Sequence, residues 1–303
     1  MIDHELSFKA HSLQFLTGVL GKFRSTTRLV SRGLSVFMFH EITDAPSPFQ
    51  KASNIATPLE VFRTQVEWIS RTFDVVDPAL LSSSQPLPSN AAVITFDDSW
   101  LGTFNNGFSI LEDLNLPAIA FLNFCGIDHG IDAAALSAFE NGFSNEYPDM
   151  SYRHHKPSDC EVFEEFQGVL ANDSTIHYWD GHPLFSFGSH LYWHVVSAGC
   201  TSSEFKDSYL RNARRLSSFQ SGVELVSFPF GQPDIHFDWR HLEAAQRFGA
   251  KKVFSAKSLV NRGPLGFLIH RIAMPTNDSS PGAALRHLLH RELFERLSGK
   301  MEV

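Results

Sequence analysis

Short apolar segments alternate with amphipathic segments along most of the chain. The apolar segments have the length of strands and occur at 34–39, 74–76, 91–96, 117–124, 184–188, 223–228, 251–255 and 267–272. The amphipathic segments predict helices over about 58–73, from beyond the strand 91–96 to about 114, and over 203–219, 238–248 and 282–297. Mostly apolar strands separated by helices are typical of a parallel sheet that is covered on both faces.

Seven or eight strand–helix units predict an α/β fold, a deformed or incomplete (β/α) barrel of about seven units, rather than an open sheet. We predict that residues 34–303 form one barrel domain and that residues 1–33 form a separate N-terminal helical segment. Residues 128–182 are polar and rich in turn residues, with one helix near Glu161–Leu170, which predicts an insertion over one end of the barrel. Thr57–Glu60 has the pattern of a capping box with proline at the first helical position.

The N-terminal segment 8–32 combines apolar residues at roughly helical spacing with five basic residues and no acid. Two interpretations are open. An interfacial helix would contact anionic lipid as a peripheral membrane element. An amphipathic helix packed on the barrel would have a solvated basic face, and we favour this second interpretation.

Composition excludes several classes of protein. The hydrophobic fraction of 43% is ordinary for a globular chain, and the net charge of −8 argues against a nucleic-acid partner. Three cysteines with no CxxC pair indicate neither a disulfide framework nor a thiolate zinc site. No apolar run approaches the roughly 20 residues of a membrane span, and the first residues are acidic rather than basic, so we expect a cytoplasmic protein.

Residues suited to chemistry follow four of the predicted strands. His40 follows the first strand, Asp97-Asp98 follows the strand 91–96, and His190 and His194 follow the strand 184–188, while Pro229-Phe230-Gly231 follows the strand 223–228. In a parallel barrel the reactive groups project from the carboxyl ends of the strands, so we expect these side chains to meet there.

Two adjacent carboxylates beyond a buried strand are costly to desolvate. A divalent cation would resolve this if one carboxylate bound it and the other stayed ionised as a base. The spacing of His190 and His194 predicts two imidazoles on one face of a helical turn. Together with one carboxylate they would leave open positions for a water and a substrate oxygen. Each feature alone is more often structural, but their joint occurrence at strand ends indicates a functional site.

Three motifs resemble one family, the polysaccharide deacetylases (carbohydrate esterase family four). TFDDS at 95–99 resembles the family's TFDDG motif, GSHLYWH at 188–194 is similar to its GSHTxxH metal motif, and SFPFG at 227–231 is similar to its RxPYG segment. The resemblance extends over about 34–273. It implies a deformed barrel, a divalent metal and hydrolysis of an N-acetyl group from an amino sugar.

The resemblance also implies roles for matched residues. Asp98, His190 and His194 would bind the metal, which the family implies is zinc, with cobalt, manganese and nickel as alternatives. Asp97 would be the general base, and the backbone N–H of Phe230 would face the developing oxyanion. The chain departs from the family pattern at three positions, where Ser99 stands for Gly, Leu191 for Ser or Thr, and Ser227 for the Arg that orients the base.

The general acid has two candidates under the same resemblance. Leu268-Ile269-His270 fits the family's late Leu-x-His. FMFHEI at 37–42 resembles the YHxI segment of a circularly permuted branch, which places the acid at His40, and we favour His40. His270-Arg271-Ile272 then resembles a final-strand Pro-Arg-Ile, and Arg271 would replace the missing orienting arginine.

These inferences predict a metal-dependent carbohydrate N-deacetylase. A cytoplasmic enzyme cannot reach a secreted polymer, so we expect a nucleotide- or lipid-linked amino sugar as the substrate; a lipid-linked one would suit the basic segment 8–32. One alternative is another C–N hydrolase on the same scaffold, such as a deformylase or a ureide or cyclic-amide hydrolase. The other is a non-catalytic carbohydrate-binding relative, against which the complete set of two aspartates and two histidines argues.

Overall fold

A computed structural model describes residues 32–83, 85–143, 147–154, 157, 159–278, 286 and 289. The basic segment 8–32, apart from its last residue, and nearly all of the predicted helix 282–297 lie outside the described residues. Both therefore stay predictions, as does the division into a segment 1–33 and a domain 34–303. No helix within the described part of the chain has the length and apolar character that crossing a bilayer would require.

Parallel strands form the wall of the barrel. The strands are β1 (Ser35–Phe39), β2 (Glu41–Ile42), β3 (Ala56–Thr57), β4 (Asp74–Val75), β5 (Ala91–Phe96), β6 (Ala118–Leu122), β7 (Phe185–Ser189), β8 (Gly222–Ser227), β9 (Lys252–Ser255), β10 (Leu268–His270) and β11 (Ile272–Ala273). The barrel sheet has the order β10-β9-β8-β7-β6-β5-β1-β11, with β4 added beside β5, while β2 and β3 form a separate two-stranded sheet. The strand pairs are parallel throughout this sheet, as the apolar segments predicted.

The two ends of the sheet approach each other at Arg271. β10 pairs with β9, while β11 pairs with β1 through Phe37 and Ile272. A single residue separates β10 from β11, so one chain segment borders both ends of the sheet. The fold is therefore a nearly closed, deformed (β/α) barrel, which confirms the predicted fold class.

Helices cover the barrel between the strands. They are α1 (Pro48–Ala52), α2 (Leu59–Thr72), α3 (Ser109–Asp113, preceded by a π-helical segment Thr103–Phe108), α4 (Phe124–His129), α5 (Ala133–Asn141), α6 (Cys160–Gln167), α7 (Asp173–Trp179), α8 (Ser202–Leu216) and α9 (Trp239–Arg247). Short 3-10 turns occur at Pro78–Ser82, Met150–His154 and Ser197–Gly199. Among the described residues, the bounds of α2, α8 and α9 agree with the predicted helices to within three residues, whereas α1 and α4 fall where no helix was predicted.

The core is built largely from phenylalanine. Phe108 stacks on Phe185 with ring centroids 4.0 Å apart, and Phe39 meets Phe62 edge to face at 4.9 Å. Burying such rings removes about 150–250 Å² of surface each, which makes them the main source of hydrophobic stabilisation. These contacts hold β1, β5 and β7 against their helices and so fix the strand ends that carry the site.

One predicted helix start is wrong. Pro58 is the N-cap residue of α2, and no side chain caps the helix in the manner of a capping box. Instead the Leu59 N–H donates to Asp44 Oδ1 at 3.0 Å, so a carboxylate fifteen residues earlier satisfies the free donor. Thr57 belongs to β3, whose backbone pairing with β2 places it too early to cap the helix.

The predicted insertion 128–182 is more helical than its composition suggested. It contains α5, α6 and α7 rather than one helix. Their N-cap residues Asp132, Asp159 and Asn172 each accept a backbone N–H, so turn-forming side chains in this segment start helices. Phe139 and Phe163 pack edge to face at 5.5 Å and join α5 to α6.

Candidate active site

A cavity of about 520 Å³ opens at the carboxyl ends of the strands. Seven of the eight residues that the sequence analysis assigned to the site line it: His40, Asp97, Asp98, His190, His194, Phe230 and Arg271. They come from the ends of β1, β5, β7 and β8 and from the residue between β10 and β11. The expectation that these strand ends meet is therefore correct.

A sharp turn after β5 separates the two adjacent carboxylates. Asp98 and Ser99 have φ angles of 72° and 60°, in the left-handed region that side chains other than glycine rarely adopt. This conformation explains why glycine suits the last position of the TFDDG motif, which Ser99 occupies in this chain. The serine here gains a contact instead, because its Oγ accepts the Asn123 N–H at 3.1 Å.

Asp98 lies between the two histidines. Its Oδ1 is 3.1 Å from His190 Nε2 and 3.0 Å from His194 Nε2. The three ligand atoms lie within 4.8 Å of one another, and all three residues are buried. One carboxylate oxygen and two imidazole nitrogens at this separation fit a divalent cation, and this donor set suits zinc with open coordination positions.

The two histidines converge by a different route from the predicted one. Residues 190–195 form a loop and not a helical turn, with φ angles of 58° at Leu191 and 52° at His194. The loop is held because His190 Nδ1 lies 2.9 Å from the Ser227 carbonyl oxygen and the His194 ring stacks on Phe230 at 5.5 Å. The predicted helical turn is therefore wrong, although both imidazoles reach Asp98.

Asp97 faces a different partner. Arg271 Nη1 and Nη2 donate to Asp97 Oδ1 and Oδ2, each at 2.7 Å, which is a two-pronged ion pair. The guanidinium is 1% exposed and also donates to Ser227 Oγ at 2.7 Å. Burial alone would raise the pKa of Asp97, but Arg271 and His190 hold it below its usual value, so the carboxyl group is ionised. Arg271 thus contacts both Asp97 and Ser227, and its role as a substitute for the family's orienting arginine stays a prediction.

The charges around Asp98 also favour ionisation. Burial opposes it, but His194 and His40 keep the pKa of Asp98 well below its usual value. Burial likewise opposes charge on His194, yet Asp132 and Asp98 raise the pKa of that imidazole well above its usual value. A net attraction for positive charge at this point is what a cation site requires.

His40 and His270 occupy different surroundings. His40 lines the cavity, its side chain is 24% exposed, and its Nε2 lies 3.9 Å from Asp98 Oδ2. His270 is not among the described residues that line the cavity. Its Nδ1 contacts Ser255 Oγ at 2.8 Å, and burial together with Lys257 lowers its pKa to about 4. The structure therefore brings His40, and not His270, to the other site residues.

Two buried acids at the site escaped the sequence analysis. Asp132 Oδ2 lies 2.5 Å from His194 Nδ1, and it comes from the insertion, whose sequence matched no motif. Glu41 is 6% exposed, and its Oε2 accepts the Gly102 N–H at 3.0 Å just beyond the Asp97-Asp98 turn. The adjacency of Glu41 to His40 was a visible signal, whereas Asp132 had only the pattern of a helix cap.

Deacetylases are among the solved structures that share this fold. The Streptococcus pyogenes deacetylase PplD, solved in complex with acetate, matches with a TM-score of 0.57 and 17% identity over 84% of this chain and 98% of its own. BC0361, a polysaccharide deacetylase from Bacillus cereus, gives a TM-score of 0.61 and 13% identity over 85% and 69%. IcaB from Ammonifex degensii gives 0.58 and 17% identity over 85% and 98%.

Comparisons of sequence, unlike comparisons of structure, find no match. No protein-family model matches the chain, and no curated protein matches it in sequence. At identities below one fifth the structural likeness establishes the fold alone. That fold is the barrel of the polysaccharide deacetylases, which the motifs at 95–99, 188–194 and 227–231 predicted.

Proposed function

We propose that this chain is a metal-dependent hydrolase that removes the N-acetyl group from an amino-sugar substrate. One observation carries the proposal: a single cavity holds the Asp98–His190–His194 cluster and, beside it, the ionised Asp97. The likeness in fold to the deacetylase PplD and to the polysaccharide deacetylase BC0361 supports hydrolysis of an acyl group on a carbohydrate. A divalent cation bound by the cluster would polarise the amide carbonyl and lower the pKa of a bound water.

Asp97 is suited to the role of general base. The guanidinium of Arg271 keeps it ionised and fixes both of its oxygens, so its orientation is set before substrate arrives. It would take the proton from the attacking water, a contribution of typically 10²–10⁴-fold to the rate. The Phe230 N–H would donate to the oxyanion, where the loss of one such donor costs about 3 kcal/mol.

His40 is suited to the role of general acid. Its partly exposed ring lies in the cavity on the Asp98 side, within reach of a departing amine, and Thr103 Oγ1 anchors its backbone by donating to the His40 carbonyl at 2.6 Å. His270, with a pKa of about 4, is neutral at pH 7 and has no proton to give readily. We assign the acid to His40 on these grounds.

Paired alanine variants test this assignment. We expect His40→Ala to lower kcat by about 10²–10⁴-fold, because it removes the proton donor, while leaving the bound metal in place. His270→Ala should retain most of the activity. Steady-state kinetics and metal analysis of both variants check the prediction, and the reverse pattern of activity would move the acid to His270.

The function itself is tested by acetate release from the zinc-loaded protein. The substrates are N-acetylglucosamine in free, oligomeric, nucleotide-linked and lipid-linked form, with formamido sugars and ureides as competing classes. We expect acetate from an acetylated sugar, and loss of turnover in Asp97→Asn with zinc still bound. Release of formate or ureide hydrolysis without acetate would favour a different C–N hydrolase, and binding without turnover would favour a carbohydrate-binding relative.

The cellular setting follows the substrate proposal. A nucleotide- or lipid-linked amino sugar in the cytoplasm remains our proposal, and the basic segment 8–32 would bring the enzyme to a lipid-linked one. Sedimentation with anionic vesicles at low salt tests the membrane contact. Equal recovery of the protein in the supernatant with anionic and with neutral vesicles would contradict the proposed membrane contact.

A further inference from the structure

Asp132 is a fully buried carboxylate whose two oxygens have separate partners. One oxygen accepts the Ala135 N–H at 2.9 Å and so caps α5. The other lies 2.5 Å from Nδ1 of His194. The residue is 0% exposed, so water does not compete for either oxygen.

A second set of contacts, made by Gln167 and Ser47, fixes the backbone of Asp132. Gln167 Oε1 accepts the Asp132 N–H at 2.6 Å, and Gln167 Nε2 donates to the Gly130 carbonyl at 2.9 Å. Ser47 Oγ donates to the Gln167 carbonyl at 2.8 Å, which ties this segment to the start of α1. These contacts fix the backbone of Asp132, and the Ala135 N–H holds its carboxylate, so the position of the carboxylate beside His194 is set by the surrounding fold.

An ionised carboxylate only accepts hydrogen bonds, so Nδ1 of His194 must carry a hydrogen. That leaves Nε2, which lies 3.0 Å from Asp98 Oδ1 at the cavity, as the nitrogen that would bind a cation in place of its hydrogen. His190 is oriented differently, by the neutral carbonyl oxygen of Ser227. The two imidazoles thus have unlike supports, one charged and one uncharged.

We propose that Asp132 is a positioning residue for His194, fixing the tautomer and the ring angle with which this histidine holds a cation. The inference rests on the proposed metal centre and adds to it a residue from the segment 128–182. Partners of this kind raise the basicity of a metal-ligating histidine, and their loss typically weakens metal binding about 10–100-fold.

Two substitutions separate positioning from packing. Asn and Ser both cap helices about as well as Asp. In Asp132→Asn the amide oxygen can keep the Ala135 N–H, and the amide nitrogen, a donor, then faces Nδ1 and drives the ring hydrogen to Nε2. In Asp132→Ser the short hydroxyl caps α5 but does not reach the ring. Positioning therefore predicts a zinc affinity that is highest in the wild type, lower in the Ser variant and lowest in the Asn variant.

The affinities are measured by competition with a chelator at fixed pH, and the Co²⁺ absorption spectrum reports the ligand geometry. We expect Asp132→Asn to weaken zinc binding about 10–100-fold and to change the cobalt bands. Asp159→Asn, the same change at the exposed N-cap of α6, should leave both unchanged. A purely structural role instead predicts equal zinc affinities in all three proteins, with the near-isosteric Asn variant like wild type and the Ser variant lowered in Tm alone.

Each outcome decides a question. Wild-type affinity in either Asp132 variant overturns the positioning role, so the Ser variant suffices if the Asn variant does not fold. A wild-type protein that binds neither zinc nor cobalt overturns the proposed metal centre and this inference together. Weakened zinc binding in the variants of a protein that releases no acetate would leave the positioning role standing and overturn the proposed function.

Discussion

At the scale of single residues, the site depends on giving neighbouring carboxylates different partners. Asp97 meets a guanidinium and Asp98 meets two imidazoles, although the residues are adjacent in the chain. The left-handed turn at Asp98 makes this separation possible. The sequence predicted both groups because each follows an apolar strand. It favoured His40 over His270 only through a motif resemblance, because the surroundings that distinguish them in the fold are long-range properties.

Replacing Arg271 by lysine tests the two-pronged ion pair. Lysine keeps the charge, but it cannot make two parallel hydrogen bonds, so Asp97 would lose its fixed orientation. We expect Arg271→Lys to lower kcat about 10²-fold, the usual effect of a small misplacement, with zinc content unchanged. Arg240→Lys, in the exposed pair with Asp238, is the matched control and should keep wild-type kinetics. Equal kcat values in the Arg271 and Arg240 variants would contradict a role for the two-pronged ion pair in orienting Asp97.

Glu41 predicts a dependence of stability on pH. Burial raises its pKa from 4.5 to about 7, even though the N–H groups of Gly102 and Thr103 favour the ionised form. Its stabilising contribution is therefore full below pH 4.5 and is lost as the pH rises through about 7. Between pH 5 and 8 this group should remove about 2.5 kcal/mol from the free energy of unfolding.

The measurement is urea unfolding at intervals from pH 5 to 8. Glu41→Gln keeps an acceptor for the Gly102 N–H but has no charge to bury, so its free energy of unfolding should fall about 2.5 kcal/mol less than that of wild type over this range. Glu60→Gln, on the exposed face of α2, should follow the wild-type curve. Parallel curves for wild type and the Glu41 variant would show that Glu41 does not carry the effect.

At the scale of elements, connections were harder to predict than strands. β5 has the predicted bounds because its six residues are all buried. Helices α5 and α7 have nine and seven residues, too short for a clear helical period, and only their capping residues marked them, whereas α6 was predicted near Glu161–Leu170. Asp132 was missed for this reason, since a cap is the ordinary role of such an aspartate and its second contact is with a residue 62 positions away.

Gly102 shows how closely two elements approach. A Cβ at this position would lie 2.5 Å from Glu41 Oε1, at the junction between β2 and the helical segment that follows the Asp97-Asp98 turn. We expect Gly102→Ala to lower the free energy of unfolding by about 1–3 kcal/mol through overpacking, and to weaken zinc binding because the turn shifts. Thermal unfolding and zinc competition measure both effects.

The control for this change is Gly199→Ala, where a Cβ would meet no atom within 4 Å. That variant should keep both the wild-type Tm and the wild-type zinc affinity. A Gly102→Ala variant with the wild-type Tm and zinc affinity would mean that β2 and the helical segment after the Asp97-Asp98 turn can move apart without loss of stability.

At the scale of the whole molecule, the repeated strand and helix pattern was enough to predict the barrel. The sequence did not predict how its ends meet, because β10 and β11 read as one continuous strand and their pairing with two different neighbours is a long-range property. The sheet closes where Ile272, which is 0% exposed, packs beside Phe37. Closure of the sheet therefore also places Arg271 beside Asp97.

Ile272→Ala tests this coupling. We expect it to lower the free energy of unfolding by about 2–5 kcal/mol through the cavity it leaves, and to lower kcat because Arg271 loses its fixed neighbour. Ile235→Ala, at a side chain that is 64% exposed, should change stability by no more than about 0.5 kcal/mol and leave kcat unchanged. Denaturant unfolding and kinetics on the same preparations compare them. Full kcat in a strongly destabilised Ile272 variant would show that closure and base orientation are independent.

The position of Arg271 also has a consequence for synthesis of the chain. All three candidate metal ligands and Asp97 precede residue 200, whereas the guanidinium that neutralises Asp97 arrives only with the final strand. A nascent chain that has emerged from the ribosome as far as β9 would have to bury an uncompensated carboxylate in order to fold. The barrel therefore has an electrostatic reason to remain open until translation has delivered its last strand.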